Sequence, residues 1–129
     1  MESRQEIARG VFSEMCGTRA VLGLLANKWT VLVMAALFED RQRFGQLQRQ
    51  IEGISPKMLT QTLRLLEQNG LVKRTVYPTV PPTVEYAPTE LGQTLLEPLA
   101  ALCRWAADHL DEVETAQQQF ERQVASGKR

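Results

Sequence analysis

The sequence predicts a mainly α chain with one small β-hairpin, on three observations. Apolar residues recur at steps of three and four through most of the 129 residues; LVKRTVY and TVEYAP then favour extended structure around a proline-rich centre; and the helical period resumes from Thr89 onward. With 43% apolar and 23% charged residues, the chain is the size of one ordinary globular domain and long enough to bury a core.

Composition also excludes several classes. No apolar run approaches the roughly 18 residues of a membrane helix, and MESRQEIARG lacks a basic-then-apolar signal, so a cytoplasmic protein with no membrane partner is expected. Cys16, Cys103 and the lone His109 are too few for a disulfide framework or a closed zinc site; no metal and no cofactor are expected. A redox role suits these cysteines better than a structural one. There is no Gly-rich phosphate loop, and nothing assembles a nucleophile, a base and an orienter, so the chain is not expected to be an enzyme.

Residues 1–15 alternate charge with Ile7, Val11 and Phe12, and read either as an arm that packs on a partner or as a frayed terminus. From Thr18 to Ala26, Ala20, Val21, Leu24 and Leu25 mark a helix face, which Asn27 and Lys28 interrupt. Trp29, Leu32, Val33, Ala36 and Leu37 repeat at three and four in a second helix, the expected centre of the core. After the polar connector EDRQR, Phe44, Leu47 and Ile51 define a short third helix closed by Gly53.

The next helix has both ends written into its sequence. Ser55 can accept from first-turn amides, Pro56 fits the first helical position, and Gly70 can take the left-handed conformation that stops a helix. Leu59, Leu63 and Leu66, with Met58 and Leu65 alongside, fall on one face; Lys57, Thr60, Gln61, Arg64 and Gln68 fall away from it. Long cations and an amide suit phosphates and base edges in a major groove. A solvated surface helix has the same pattern, so the neighbours decide.

Two short helices joined by a Gly-containing turn, the second capped and polar outside, match a helix-turn-helix, and its second member would be the recognition helix. Val72, Thr75, Val76, Tyr77, Thr83, Val84 and Tyr86 suit two strands with prolines between them, a hairpin in the position of a wing, with Lys73 and Arg74 at its base. The predicted architecture is a winged helix-turn-helix domain plus a C-terminal dimerisation helix. Although formal net charge is zero, Arg41 to Glu85 holds seven cations against three anions, whereas residues 108–129 hold three against five. A local basic patch is what phosphate attraction requires.

LANKWTVLVMAAL, the run from RFGQLQRQIEG through ISPKMLTQTLRLLEQNGLVKRTVYPTVPPTVEYAPTELG, and the later LCRW resemble the HxlR-type transcriptional regulators, relatives of the MarR winged-helix proteins. The resemblance covers roughly Cys16 to Trp105. It implies a dimeric regulator that binds a near-palindromic double-stranded operator, with DNA contacts expected at Arg43, Ser55, Pro56, Lys57, Thr60, Gln61, Arg64, Lys73, Arg74 and Thr79. Gly17 stands where the family usually has Pro, and Thr83 where a basic residue is common, so weaker wing contacts are expected.

From Pro88-Thr89-Glu90 a long helical pattern begins, and Leu96, Leu99, Cys103, Ala106, Leu110 and Val113 fit a heptad-like seam. Both apolar faces of this helix cannot be buried in one small domain, so Leu96, Leu99, Cys103, Ala106 and Leu110 are assigned to a homodimer interface, against the alternative of an intrachain helix. Pro98 is expected to bend the helix unless it lies near its start. Burial is the default for Cys103. By resemblance Cys16 senses oxidants or electrophiles, with Arg19 favouring its thiolate; the alternative is an unreactive, partly packed thiol.

The expected organisation is an N-terminal arm at 1–15, a DNA-binding region at 16–88, a dimerisation helix at 89–116 and a polar tail at 117–129, in one compact domain overall. A small-molecule-responsive regulator and a protein-interaction module remain as alternatives.

Overall fold

The computed structural model describes residues 4, 12, 17–38 and 40–127. They divide into two compact units, Met1–Leu96 and Glu97–Arg129. Residues 1–15, apart from 4 and 12, and Cys16 lie outside the described residues, and with them the expected arm and the cysteine expected to respond to oxidants.

In the first unit, α1 (Gly17–Leu25) ends at the sequence break that Asn27 and Lys28 make. Asn27 then caps α2 (Lys28–Leu37), its Oδ1 accepting from the Trp29 amide at 2.8 Å. As expected, α2 supplies much of the core, but its buried face is rotated. Thr30, Val33, Met34, Ala36 and Leu37 are buried, whereas Leu32 is 41% exposed. Each fully buried aliphatic side chain contributes about 1.5–3 kcal/mol of transfer free energy, and Val33, Met34, Leu37, Leu47, Leu59 and Leu66 are all essentially inaccessible. No helix among the described residues is long and apolar enough to cross a membrane; α1 and α2, the two most apolar, meet at 74°.

Two residues of the polar connector, Gln42–Arg43, form a short strand, β1, which the sequence reading missed. β1 pairs antiparallel with β3, placing Gln42 opposite Tyr86 and Arg43 opposite Glu85. The expected hairpin is therefore one part of a three-stranded sheet of order β1-β3-β2. A two-residue strand has no periodicity to read; the Gln42 side chain, donating to the Ala36 carbonyl at 2.6 Å, ties it to the end of α2.

α3 (Phe44–Gln50) leads through Gly53 into α4 (Pro56–Gln68), the helix-turn-helix pair. The ends of α4 are those its sequence specifies. Ser55 Oγ accepts from the Met58 amide at 3.1 Å, Pro56 opens the helix, and Gly70 at φ +74 lets the Leu71 amide donate to the Leu66 carbonyl. β2 (Val72–Tyr77) and β3 (Thr83–Pro88) form the wing, in register from Val72 opposite Pro88 to Tyr77 opposite Thr83. α5 (Glu90–Thr94) follows, with Thr89 Oγ1 accepting from the Gly92 amide.

The long C-terminal pattern resolves into α5, α6 (Leu96–Asp108) and α7 (Leu110–Ala125). Pro98 is the third residue of α6, where its missing N–H belongs to the set that a helix start leaves unbonded, so the interruptions fall at Leu95 and His109 instead. The His109 ring stacks on Trp105 at 4.8 Å, with Nδ1 2.9 Å from the Trp105 carbonyl oxygen. Helix continues through the polar stretch to Ala125.

Candidate nucleic-acid interface

α4 is amphipathic in the sense its sequence requires. Leu59, Thr62, Leu63 and Leu66 are buried, and Lys57, Thr60, Gln61, Arg64 and Gln68 are exposed. Two positions differ from the sequence reading: Leu65 is 46% exposed, and Thr62 takes a place in the core. The Thr62 hydroxyl donates to the Met58 carbonyl at 2.8 Å, which satisfies its proton inside the core.

The exposed stripe has two flanks. Thr60 and Arg64 line a recess of about 420 Å³ with Leu63, Glu67, Arg74 and Tyr86, where the helix meets the base of the wing. Gln61 borders a different recess, of about 230 Å³, with Asn27, Thr30 and Leu65. Lys57 at the first turn is exposed, as are Ser55 and Pro56. The capping bond uses a lone pair of Ser55 Oγ and leaves its own proton to donate.

Lys73 and Arg74 are adjacent on β2 and project to opposite faces. Arg74 joins the α4 recess, whereas Lys73 lines a separate one with Arg41, Thr75, Tyr77, Glu85 and Ala87. Arg43 is exposed at the start of α3, its amide donating to Gln46 Oε1 at 2.8 Å. Arg41, which the site prediction omitted, stands 3.9 Å from Glu85 and 3.5 Å from the Tyr77 hydroxyl. Its place beside β1 was invisible because that strand was. At the wing tip, Thr79 Oγ1 donates to the Pro81 carbonyl at 2.7 Å and lies 2.9 Å from Thr83 Oγ1. Thr83, standing where a basic residue is common in the resembling family, thus braces the tip.

In the second unit the seam residues divide by exposure. Leu99 is buried, whereas Ala106 and Leu110 are exposed, and so is Cys103, against its expected burial. The apolar helical spacing around Cys103 is real, but no described residue buries that face of α6: Leu102 and Trp105 are also more than half exposed. On α7, Leu110, Val113, Phe120 and Val124 are exposed and, with Gln117, follow steps of three and four. Phe120 and Val124 were hidden in sequence by their polar neighbours QQQ and ERQ.

These features define a winged helix-turn-helix transcriptional regulator. The chain belongs to the HxlR-like helix-turn-helix family, which residues 24–114 match. It is 46% identical over 110 residues to YtfH of Escherichia coli (strain K12), an uncharacterized HTH-type transcriptional regulator, covering 84% of this chain and 87% of that one. The structure of ytfH from Salmonella typhimurium, assigned as a transcriptional regulator, superposes with a TM-score of 0.77 at 41% identity, over 83% of this chain and 96% of that one. The redox regulator HypR in its reduced form superposes with a TM-score of 0.72 at 34% identity, over 76% and 97%. Family membership makes the chain a regulator and not an enzyme.

Proposed function

We propose that the protein binds a near-palindromic operator as a homodimer, each copy placing α4 in a major groove about 34–36 Å from its mate. The observation that carries this reading is the exposed stripe of Lys57, Thr60, Gln61 and Arg64 on a helix whose opposite face is locked into the core. Gln61 and Arg64 read base edges; Lys57, Thr60 and the Ser55 hydroxyl take base or adjacent phosphate contacts, with Pro56 setting the helix start. Arg43, Lys73 and Arg74 hold the backbone, and Thr79 brings the wing tip to the flanking DNA.

In this reading residues 16–88 are the DNA-binding region, and the segment from 89 onward carries the dimer contacts. The exposed Cys103, Ala106 and Leu110, with half-buried Leu96, supply that surface, while Leu99 has little area left to share. The action is cytoplasmic, where the operator is. Footprinting on DNA upstream of its own gene and neighbours, over a salt series, tests the proposal. Two protected half-sites with affinity falling steeply in salt are expected. A monomer at micromolar concentration, or no protected site, would overturn it.

A second element of the reading is an oxidant or electrophile effector acting at Cys16. It draws support from the similarity to HypR, a redox regulator with structures in reduced and oxidized forms.

A further inference from the structure

Lys28 opens α2, and its Nζ stands 4.7 Å from the centroid of the Trp29 ring. The indole is half-buried and reaches from the start of α2 to the turn that feeds α4, its Cη2 lying 4.0 Å from the position a Cβ would take at Gly53. We infer that Lys28 is a further DNA-backbone contact, placed on the flank of α4 opposite the wing, and that Trp29 is the positioning residue that holds its ammonium there.

A helix seated in a major groove has a phosphate wall on either side. The wall on the wing side is served: Thr60 and Arg64 share their recess with Arg74 and Tyr86, and Arg43 stands on β1, paired with β3. The other wall faces the recess where Met58 and Gln61 of α4 meet Asn27 and Thr30 at the start of α2. The cation at that edge is Lys28, next in the chain to Asn27 and exposed. Asn27 Oδ1, accepting from the Trp29 amide, fixes where the helix and its lysine begin.

Two features separate this lysine from an ordinary solvated one. Among the described residues no carboxylate lies within ion-pair distance of it, whereas Arg41 shares Glu85. Its charge is therefore left for an outside anion. The ring, moreover, restrains the ammonium without neutralising it. A free lysine stem loses rotamer freedom when it orders on a phosphate, whereas a stem already drawn over an indole has lost part of that freedom beforehand. The ammonium protons remain available to phosphate oxygens.

The inference rests on the operator reading above. Its test is the affinity of the full chain for the footprinted operator over a salt series, for wild type, Lys28→Gln, Lys28→Arg, Trp29→Leu and the double variant Lys28→Gln with Trp29→Leu, with urea midpoints as a control on folding. Lys28→Gln should lower the slope of log affinity against log salt by about 0.9, so that the advantage of wild type shrinks about three- to fourfold between 50 and 200 mM salt. Lys28→Arg should restore the slope, since a guanidinium keeps the charge and also stacks on indole. Ethylation interference should lose one phosphate per half-site in Lys28→Gln, on the side of α4 away from the wing, with base preference unchanged. If Trp29 acts through the lysine, Trp29→Leu should weaken binding in the Lys28 chain and add little to Lys28→Gln. Lys28 is exposed, so its own variants stay folded whatever Trp29→Leu does. An unchanged slope in Lys28→Gln overturns the contact even where affinity falls, and additive effects of the two substitutions overturn the role of Trp29 alone. Wild type that binds no operator overturns the operator reading and this contact with it; tight operator binding whose slope ignores Lys28→Gln overturns only the contact.

Discussion

Arg64 on α4 and Arg74 on β2 line one recess, with Tyr86 of β3 beside them. The left-handed turn at Gly70 makes this possible, because it reverses the chain sharply enough for β2 to return alongside the helix it has just left. Two guanidiniums around one concave site suit a phosphate flanked by a base edge. Arg64→Ala should cost about 1–3 kcal/mol of operator affinity and relax preference at one base position. Arg74→Ala should weaken all sequences and lower the salt slope by about one unit, and the two losses should be non-additive in a double-mutant cycle.

Lys73 provides the contrast. Facing the other side of the wing among Arg41, Tyr77 and Glu85, it is separated from α4, and Glu85 offsets part of the local positive charge. Lys73→Ala should therefore reduce affinity less than Arg74→Ala, by well under 1 kcal/mol at physiological salt, as expected for an exposed screened charge. Equal effects in quantitative footprinting would mean that both faces of the wing meet DNA.

Where local chemistry sets structure, the sequence was readable: Ser55, Pro56 and Gly70 each act within one turn of α4, and the prolines of the wing tip separate two strands as they must. Where partners decide, it was not. β1 exists because β3 pairs with it, Thr62 enters the core because Met58 offers a carbonyl, and Leu65 stays half exposed at the edge of a recess that Leu24 and Thr30 share. Of the site, the α4 stripe followed from helical period alone; that Arg74 rather than Lys73 joins it depends on the strand's register, which spacing does not show.

Gly92 answers to packing rather than to turn geometry. A Cβ there would collide with the Leu71 carbonyl oxygen and press on Pro88, so α5 approaches the entrance of β2 only because residue 92 has no side chain. Gly92→Ala should destabilise the protein by about 1–3 kcal/mol, read as a lower urea midpoint at unchanged slope. A midpoint equal to that of wild type would show that α5 shifts freely.

The exposed steps Leu110, Val113, Phe120 and Val124 along α7 offer a cleaner probe of dimerisation than Leu99, which is buried and whose replacement by Glu would damage the protomer itself. Leu110→Glu and Phe120→Glu each place a charge in an apolar seam at a solvent-facing position. Both should raise the dimer dissociation constant by more than tenfold in sedimentation equilibrium, weaken operator binding in parallel and leave the urea midpoint of the monomer unchanged. An intact dimer in both variants would move the interface to another surface.

Exposure of Cys103 changes the redox question, since an exposed thiol is itself open to oxidation. The chain then carries two candidate targets, and loss of operator binding under diamide would not by itself identify Cys16. Parallel titrations of wild type, Cys16→Ser and Cys103→Ser separate them. If Cys16 is the sensor, diamide should release DNA from wild type and Cys103→Ser but not from Cys16→Ser. A bulky adduct or an intersubunit disulfide need only rotate the protomers slightly, because both copies of α4 must meet grooves a fixed distance apart. Release confined to Cys103-bearing chains would instead place the chemistry on α6, within the seam proposed for dimerisation, and should then appear as a change in dimer dissociation as well as in operator affinity. Release that persists in both single variants would remove either thiol as the sole trigger, and no release in wild type would leave a non-covalent ligand as the effector.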